Sequence, residues 1–233
     1  MRILIINWIV ILAYSVPLPA QIKEFDIDDY PIEVSVAEGN QDILVVYITG
    51  DGGWNKFSHQ VSESFTKLGY SVVSLNARKY FWDAKKPEVF AKDVERIILH
   101  YLSALHKSSC ILVGYSFGAD AVAFLPNRLP MSLLKKTLLV ALISPSASTD
   151  FVVRIADLVS FVDSTDGQFK VAEEIKTSPI SMLCIFGEEE DLILKRELKN
   201  QALVKIVNLP GSHRYNDEGP VLVNTIINHL KKS

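Results

Sequence analysis

At 233 residues, 48% of them hydrophobic, the chain can bury one sizeable core, and its length suits one domain rather than two. A formal net charge of −3, from 24 basic and 27 acidic residues, excludes broad binding to phosphate backbones, so nucleic acid is not an expected partner. No pair of His and Cys residues has metal-ligand spacing, and neither a phosphate-binding Gly-Lys-Ser motif nor a dinucleotide fingerprint occurs, so no metal and no cofactor are implied.

Residues 1–20 read as a secretory signal peptide. Arg2 precedes the apolar stretch Ile3 to Tyr14, and Leu18-Pro19-Ala20 offers a cleavage site before Gln21. The apolar run is shorter than the roughly 20 residues that span a bilayer, with an uncleaved inner-membrane anchor as the alternative. The remainder, 21–233, reads as one domain. Strand-like runs near 32–36 and 42–48 come first, and the second breaks into Gly50-Asp51-Gly52-Gly53-Trp54, a glycine-rich loop able to expose backbone amides. A helical pattern over 56–68, a strand at 71–76, the aromatic stretch Tyr80-Phe81-Trp82 and a helix over 88–106 follow.

The most informative segment comes next. The apolar run Cys110-Ile111-Leu112-Val113, part of a strand at 109–113, leads directly into Gly114-Tyr115-Ser116-Phe117-Gly118 and a helical pattern over 117–128. A Gly-x-Ser-x-Gly sequence between a strand and a helix is the pattern of a nucleophile elbow, a sharp turn that pushes the serine hydroxyl out toward substrate. A strand at 137–143 follows, and then the least regular stretch, 144–178, a candidate cap over the site. Within it Phe151, Val152, Ile155, Leu158, Val159 and Val162 approximate a helical apolar stripe. The strand at 181–186 ends at Gly187-Glu188-Glu189-Glu190-Asp191. The strand at 204–209 ends at Pro210-Gly211-Ser212-His213, and a helix over 219–231 closes the chain.

This order suits one chemistry. A serine hydroxyl is a weak nucleophile at neutral pH and needs a base within hydrogen-bond reach, itself oriented by a carboxylate. His213 is the candidate base, because the other four histidines fall in or at the start of helical patterns. The acid is expected among the four residues after the strand at 181–186: Asp191 first, Glu190 as the close alternative, and Glu188 and Glu189 behind them. The oxyanion hole would take the amide of Phe117 and one from Asp51 or Gly52. Strands alternating with helices, with these loops at strand carboxyl ends, predict a compact α/β-hydrolase fold: a mostly parallel sheet with helices on both faces. Cys110 and Cys184 lie on strands that would not be nearest neighbours, so both read as buried core residues rather than a disulfide pair.

Five segments together, Asp51-Gly52-Gly53-Trp54, Arg78-Lys79-Tyr80-Phe81-Trp82, Gly114-Tyr115-Ser116-Phe117-Gly118-Ala119-Asp120, Phe186-Gly187-Glu188-Glu189-Glu190 and Leu209-Pro210-Gly211-Ser212-His213, resemble the bacterial VirJ/AcvB virulence-protein family. The chain departs from the family pattern at Arg214, where a second histidine is expected. The resemblance implies a periplasmic serine esterase, with lysyl-phosphatidylglycerol or a related aminoacyl-phospholipid ester at the membrane surface as substrate. The alternative it implies is a type IV secretion adaptor that binds secretion-system proteins on a hydrolase scaffold. For such a substrate Asp120, Trp54 and Tyr80 are candidate contacts, with Asp51 and Asp217 as further carboxylates for the lysyl ammonium groups. Four of the five have a plainer reading: Asp120 as a brace of the elbow helix, Asp51 as support for its turn, Asp217 as loop surface, and Tyr80 as core.

Overall fold

A computed structural model describes residues 26–39, 41–154, 165–199 and 201–231. The predicted signal peptide and part of the predicted apolar stripe, 155–164, lie outside the described residues. Five strands lead, in chain order β1 (Ile32–Ser35), β2 (Ile43–Ile48), β3 (Ser71–Leu75), β4 (Ser109–Tyr115) and β5 (Thr137–Ile143). A short ribbon, β6 (Ser148–Thr149) with β7 (Phe169–Lys170), precedes the last two, β8 (Met182–Gly187) and β9 (Val204–Leu209). The helices are α1 (Lys56–Lys67), α2 (Ala77–Tyr80), α3 (Pro87–Ala104), α4 (Phe117–Val122), α5 (Met131–Leu134), α6 (Val171–Lys176), α7 (Ile193–Glu197) and α8 (Gly219–Leu230).

All seven strands expected from sequence join one sheet, in the order β1-β3-β2-β4-β5-β8-β9. Only β1 runs antiparallel, along β3; every other neighbour pair is parallel. Parallel strands buried on both faces read as continuous apolar runs, which is why β2, β4, β5 and β8 were plain in the sequence. Alternation along each strand then sorts the side chains between two cores. Leu44, Val46, Ile48, Leu112, Leu142 and Phe186 face α3 and α4, whereas Val45, Tyr47, Val113, Ala141 and Ile185 face α1 and α8.

The covering helices follow their own spacing. Phe57, Val61 and Phe65 form the buried stripe of α1, which packs beside Leu222, Val223, Ile226 and Ile227 of α8. Asn55 caps α1 by accepting the amide of Ser58 at 3.0 Å, and Pro87 opens α3 at a position where its missing N–H costs nothing. The helix expected over 117–128 is shorter than predicted. It stops at Val122 and relaxes into turns before Pro126, whose ring cannot continue it.

Of the segment 144–178, the described parts pack on the body of the domain. Phe151 lies in a bend with φ 53° and not in a helix, and it is fully buried among Phe81, Phe90, Phe124 and Phe169. Arg128 ties α6 to the elbow side of the molecule, reaching Glu174 at 2.8 Å and Glu88 of α3 at 3.1 Å. Among the described residues no helix is long and apolar enough to cross a membrane.

Candidate active site

Register decides where the loops meet. Ile48 pairs with Gly114, Tyr115 with Ile143, Ile143 with Ile185, and Gly187 with Leu209, so the carboxyl ends of β2, β4, β5, β8 and β9 finish nearly level. Each then delivers its loop to one rim of the sheet, the edge where open α/β sheets bind ligands.

Ser116 stands at the turn from β4 to α4 with φ 53° and ψ −124°. A non-glycine residue in such a conformation costs on the order of 1–3 kcal/mol, which the surroundings must supply. They do so through close backbone packing. A Cβ on Gly114 would lie 2.4 Å from the carbonyl oxygen of Gly118, and one on Gly118 would lie 2.3 Å from the carbonyl oxygens of Ile48 and Thr49. Neither position admits a side chain. The amides of Ala119 and Asp120 both donate to the Ser116 carbonyl, at 2.8 and 3.1 Å, so the serine serves as the cap of α4. Beside it runs the loop after β2: a Cβ built on Gly50 would sit 3.4 Å from the Cβ of Ser116. That loop closes as a turn, Gly53 N–H donating to the Gly50 carbonyl at 3.0 Å, with Asp51 and Gly52 as its central residues.

The loops after β8 and β9 are stitched to each other. Glu188 N–H donates to Leu209 at 2.8 Å, Glu189 N–H to Gly211 at 3.1 Å, and Glu190 N–H folds back to Gly187 at 3.2 Å. This turn sends the Glu190 side chain inward, where its Oε1 meets His213 Nδ1 at 2.7 Å. The carboxylate is only 6% exposed and the imidazole 18%. Glu190 Oε2 accepts the Gly187 amide at 2.6 Å and the Ser144 hydroxyl at 2.7 Å. Burial pushes the Glu190 carboxyl up, but the hydrogen bonds from His213, Ser144 and Gly187 outweigh it and hold the group below its ordinary value. His213 in turn reaches the elbow. Its carbonyl accepts the hydroxyl of Tyr115, the residue before Ser116, at 3.1 Å, and the two rings lie 5.4 Å apart.

Asp191, the acid ranked first from sequence, is therefore replaced by Glu190. Its side chain is 86% exposed and pairs with Arg196 at 3.2 Å, because the turn that directs Glu190 inward directs its successor to solvent. Glu188 and Glu189 take part through their backbones.

Two of the three proposed substrate contacts have structural duties. Asp120 is 5% exposed and its Oδ1 accepts the Ser146 amide at 2.6 Å, bracing α4 against the loop after β5. Tyr80 is 7% exposed, with its hydroxyl 2.6 Å from Asp93 of α3. It borders a depression of about 360 Å³ with Asp26, Tyr30, Lys85 and Arg96, a cleft that contains neither Ser116 nor His213. Phe81 joins the aromatic core, whereas Trp82 is 56% exposed. Trp54 remains on the loop after β2, half-buried under the Lys79 ammonium at 5.4 Å. Asp217 pairs with Arg214 at 2.9 Å on an exposed turn.

The site residue that sequence reasoning missed is Ser144. Its only signal was position, a polar residue immediately after the fifth run of buried apolar residues. The cysteines offer no rival nucleophile. Both are free and buried, and burial pushes the thiols of Cys110 and Cys184 up to about 11 and about 12. Among the described residues no three His, Cys, Asp or Glu side chains gather to hold a metal ion.

Comparison with known proteins agrees with this architecture. The sequence model described as bacterial virulence protein (VirJ) matches residues 42–233. No individually curated protein matches the chain. Among solved structures, MenH from S. aureus superposes with a TM-score of 0.64 at 14% identity, covering 86% of this chain and 98% of that one. Proline iminopeptidase of Mycobacterium smegmatis gives 0.62 at 12% identity, covering 86% and 94%. The thioesterase domain from the curacin biosynthetic pathway gives 0.61 at 14%, covering 87% and 97%. At such identities the likeness is one of fold, and the fold is that of the α/β hydrolases.

Proposed function

The chain belongs to the VirJ family of bacterial virulence proteins, and from that membership together with the geometry of the sheet rim we propose that it is a serine hydrolase whose triad is Ser116, His213 and Glu190. The observation that carries this reading is the 2.7 Å contact of His213 Nδ1 with a buried Glu190, on a loop that touches the residue before a strained Ser116. With Nδ1–H given to the carboxylate, the neutral ring's basic nitrogen is Nε2, the atom a general base needs. In the first half-reaction Ser116 Oγ attacks the ester carbonyl and His213 takes its proton. The amides of Phe117 and of Asp51 or Gly52 hold the developing oxyanion, and His213 returns the proton to the departing alkoxide. Water then repeats the sequence on the acyl-enzyme, freeing the acid and restoring the serine.

The substrate we propose is an aminoacyl-phospholipid ester such as lysyl-phosphatidylglycerol, met at the membrane surface in the periplasm. The family resemblance and the leader-like N-terminal sequence support it. The scissile bond would be the ester between the lysyl carboxyl and the lipid glycerol, so the acyl group carried by Ser116 is lysyl and the first product is phosphatidylglycerol. Full chain incubated with lysyl-phosphatidylglycerol vesicles should release lysine, and Ser116→Ala should lower that release by about 10³-fold or more. Equal release by the two proteins, or none by either, rejects this substrate. Labelling of Ser116 by a fluorophosphonate asks separately whether the serine is activated. The family's virulence description favours a second reading, a secretion adaptor, under which Ser116→Ala would complement a deletion strain as well as wild type.

A further inference from the structure

The carboxylate opposite His213 is held by more than its turn. Ser144, at the carboxyl end of β5, is 1% exposed and held at φ 50°, its amide donating to the Ile185 carbonyl at 2.8 Å. Its hydroxyl lies 2.7 Å from Glu190 Oε2 and 2.5 Å from the hydroxyl of Tyr215. Tyr215, 2% exposed and two residues beyond His213, also reaches the Ile185 carbonyl at 3.0 Å. Counting protons gives the chain a direction. An ionised carboxylate only accepts, so the single proton of Ser144 goes to Glu190. Ser144 Oγ is then the acceptor for Tyr215, whose proton is shared with the Ile185 carbonyl. Three strand ends, those of β5, β8 and β9, thereby converge on one carboxylate.

We propose that Ser144 and Tyr215 are positioning residues of the active site, a directed hydroxyl relay that holds Glu190 as an anion with Oε1 turned to His213 Nδ1. The inference rests on the hydrolase reading for its catalytic consequence, but the relay itself is a statement about His213. Donors to a carboxylate lower its basicity, so removing one makes Glu190 pull harder on the shared proton and keeps His213 protonated to higher pH. Among the described residues, the other titratable or charged groups acting at this corner are the phenols of Tyr115 and Tyr215, both pushed up by burial, with Tyr47, Arg214 and Asp51 close enough to act on Tyr115.

The test uses the full chain, p-nitrophenyl butyrate as the probe ester, and two variants. Ser144→Gly removes the hydroxyl while suiting the positive φ, so the backbone turn is not strained; Tyr215→Phe removes the outer hydroxyl alone and leaves the ring in place. We expect kcat to fall about 10-fold in Ser144→Gly and less in Tyr215→Phe, with KM within about 2-fold of wild type, as for lost hydrogen bonds to a charged group. The acidic limb of the kcat/KM profile should move to higher pH in the same order. A packing role alone would change stability and leave that limb in place. In parallel, the downfield NMR signal of His213 Nδ1–H and its pH titration are followed without any substrate. A shifted signal and a raised titration midpoint in the variants support the relay even if no protein hydrolyses the probe, an outcome that counts against the hydrolase reading only. Wild-type profiles, resonance and midpoint in both variants would overturn it.

Discussion

Glu190 and Asp191 are neighbours in sequence with opposite fates, and the reason is a single turn. Glu190 N–H bonds back to Gly187, which aims its side chain under the strand end, while Asp191 is left to pair with Arg196 in solvent. The expected outcome is sharp. In the proposed triad, Glu190→Gln removes the charge that would stabilise the His213 imidazolium and should lower kcat by about 10³–10⁴-fold, whereas Asp191→Asn should stay within about 2-fold. Steady-state kinetics on a chromogenic ester separates them, and equal effects would return the acid to an open question. The same residue carries a pH signature. Its folded value is depressed, so the stability it contributes is fully present above its ordinary value of 4.5 and is lost as pH falls through the lower folded value. Thermal unfolding should therefore show wild type above Glu190→Gln at pH 7, with the gap closing as pH drops below that window. A gap that widened on acidification would contradict the assignment.

The elements bring Ser116 to the rim by packing backbone on backbone. Gly118 touches the carbonyls of Ile48 and Thr49 at the end of β2, so the first turn of α4 can rest on the sheet only where no Cβ intervenes. Gly118→Ala would force that contact open, because both opposing atoms are main-chain oxygens that cannot turn aside. Overpacking of this kind costs on the order of 1–3 kcal/mol. Chemical denaturation should register that loss, and fluorophosphonate labelling of Ser116 should slow even in the folded fraction, since the displaced turn carries the proposed nucleophile. Undiminished labelling at full stability would mean that the elbow tolerates what its geometry forbids. The short α4 has a related origin: Pro126 ends it before it can run past the sheet.

At the scale of the molecule, the amino-acid order alone settled the architecture. Continuous apolar runs can be satisfied only by strands buried on both faces, and the longer gaps between them hold helical stripes, so the seven strands of the sheet and the long helices α1, α3 and α8 were legible from periodicity, whereas the short helices α2, α5, α6 and α7 were not. The place of Ser116 between a strand and a helix and that of His213 in a loop beyond the last strand were legible because each interrupts a regular pattern with small or loop-forming residues that packing does not need. What sequence could not decide is where side chains point once loops fold against each other. The choice of Glu190 over Asp191, the burial of Tyr80 against Asp93 and of Asp120 against Ser146, and the presence of Ser144 beneath the carboxylate all depend on contacts between residues far apart in the chain. Local propensity has no access to those contacts. Register and loop-to-loop hydrogen bonds, which exist only in the assembled sheet, made those decisions.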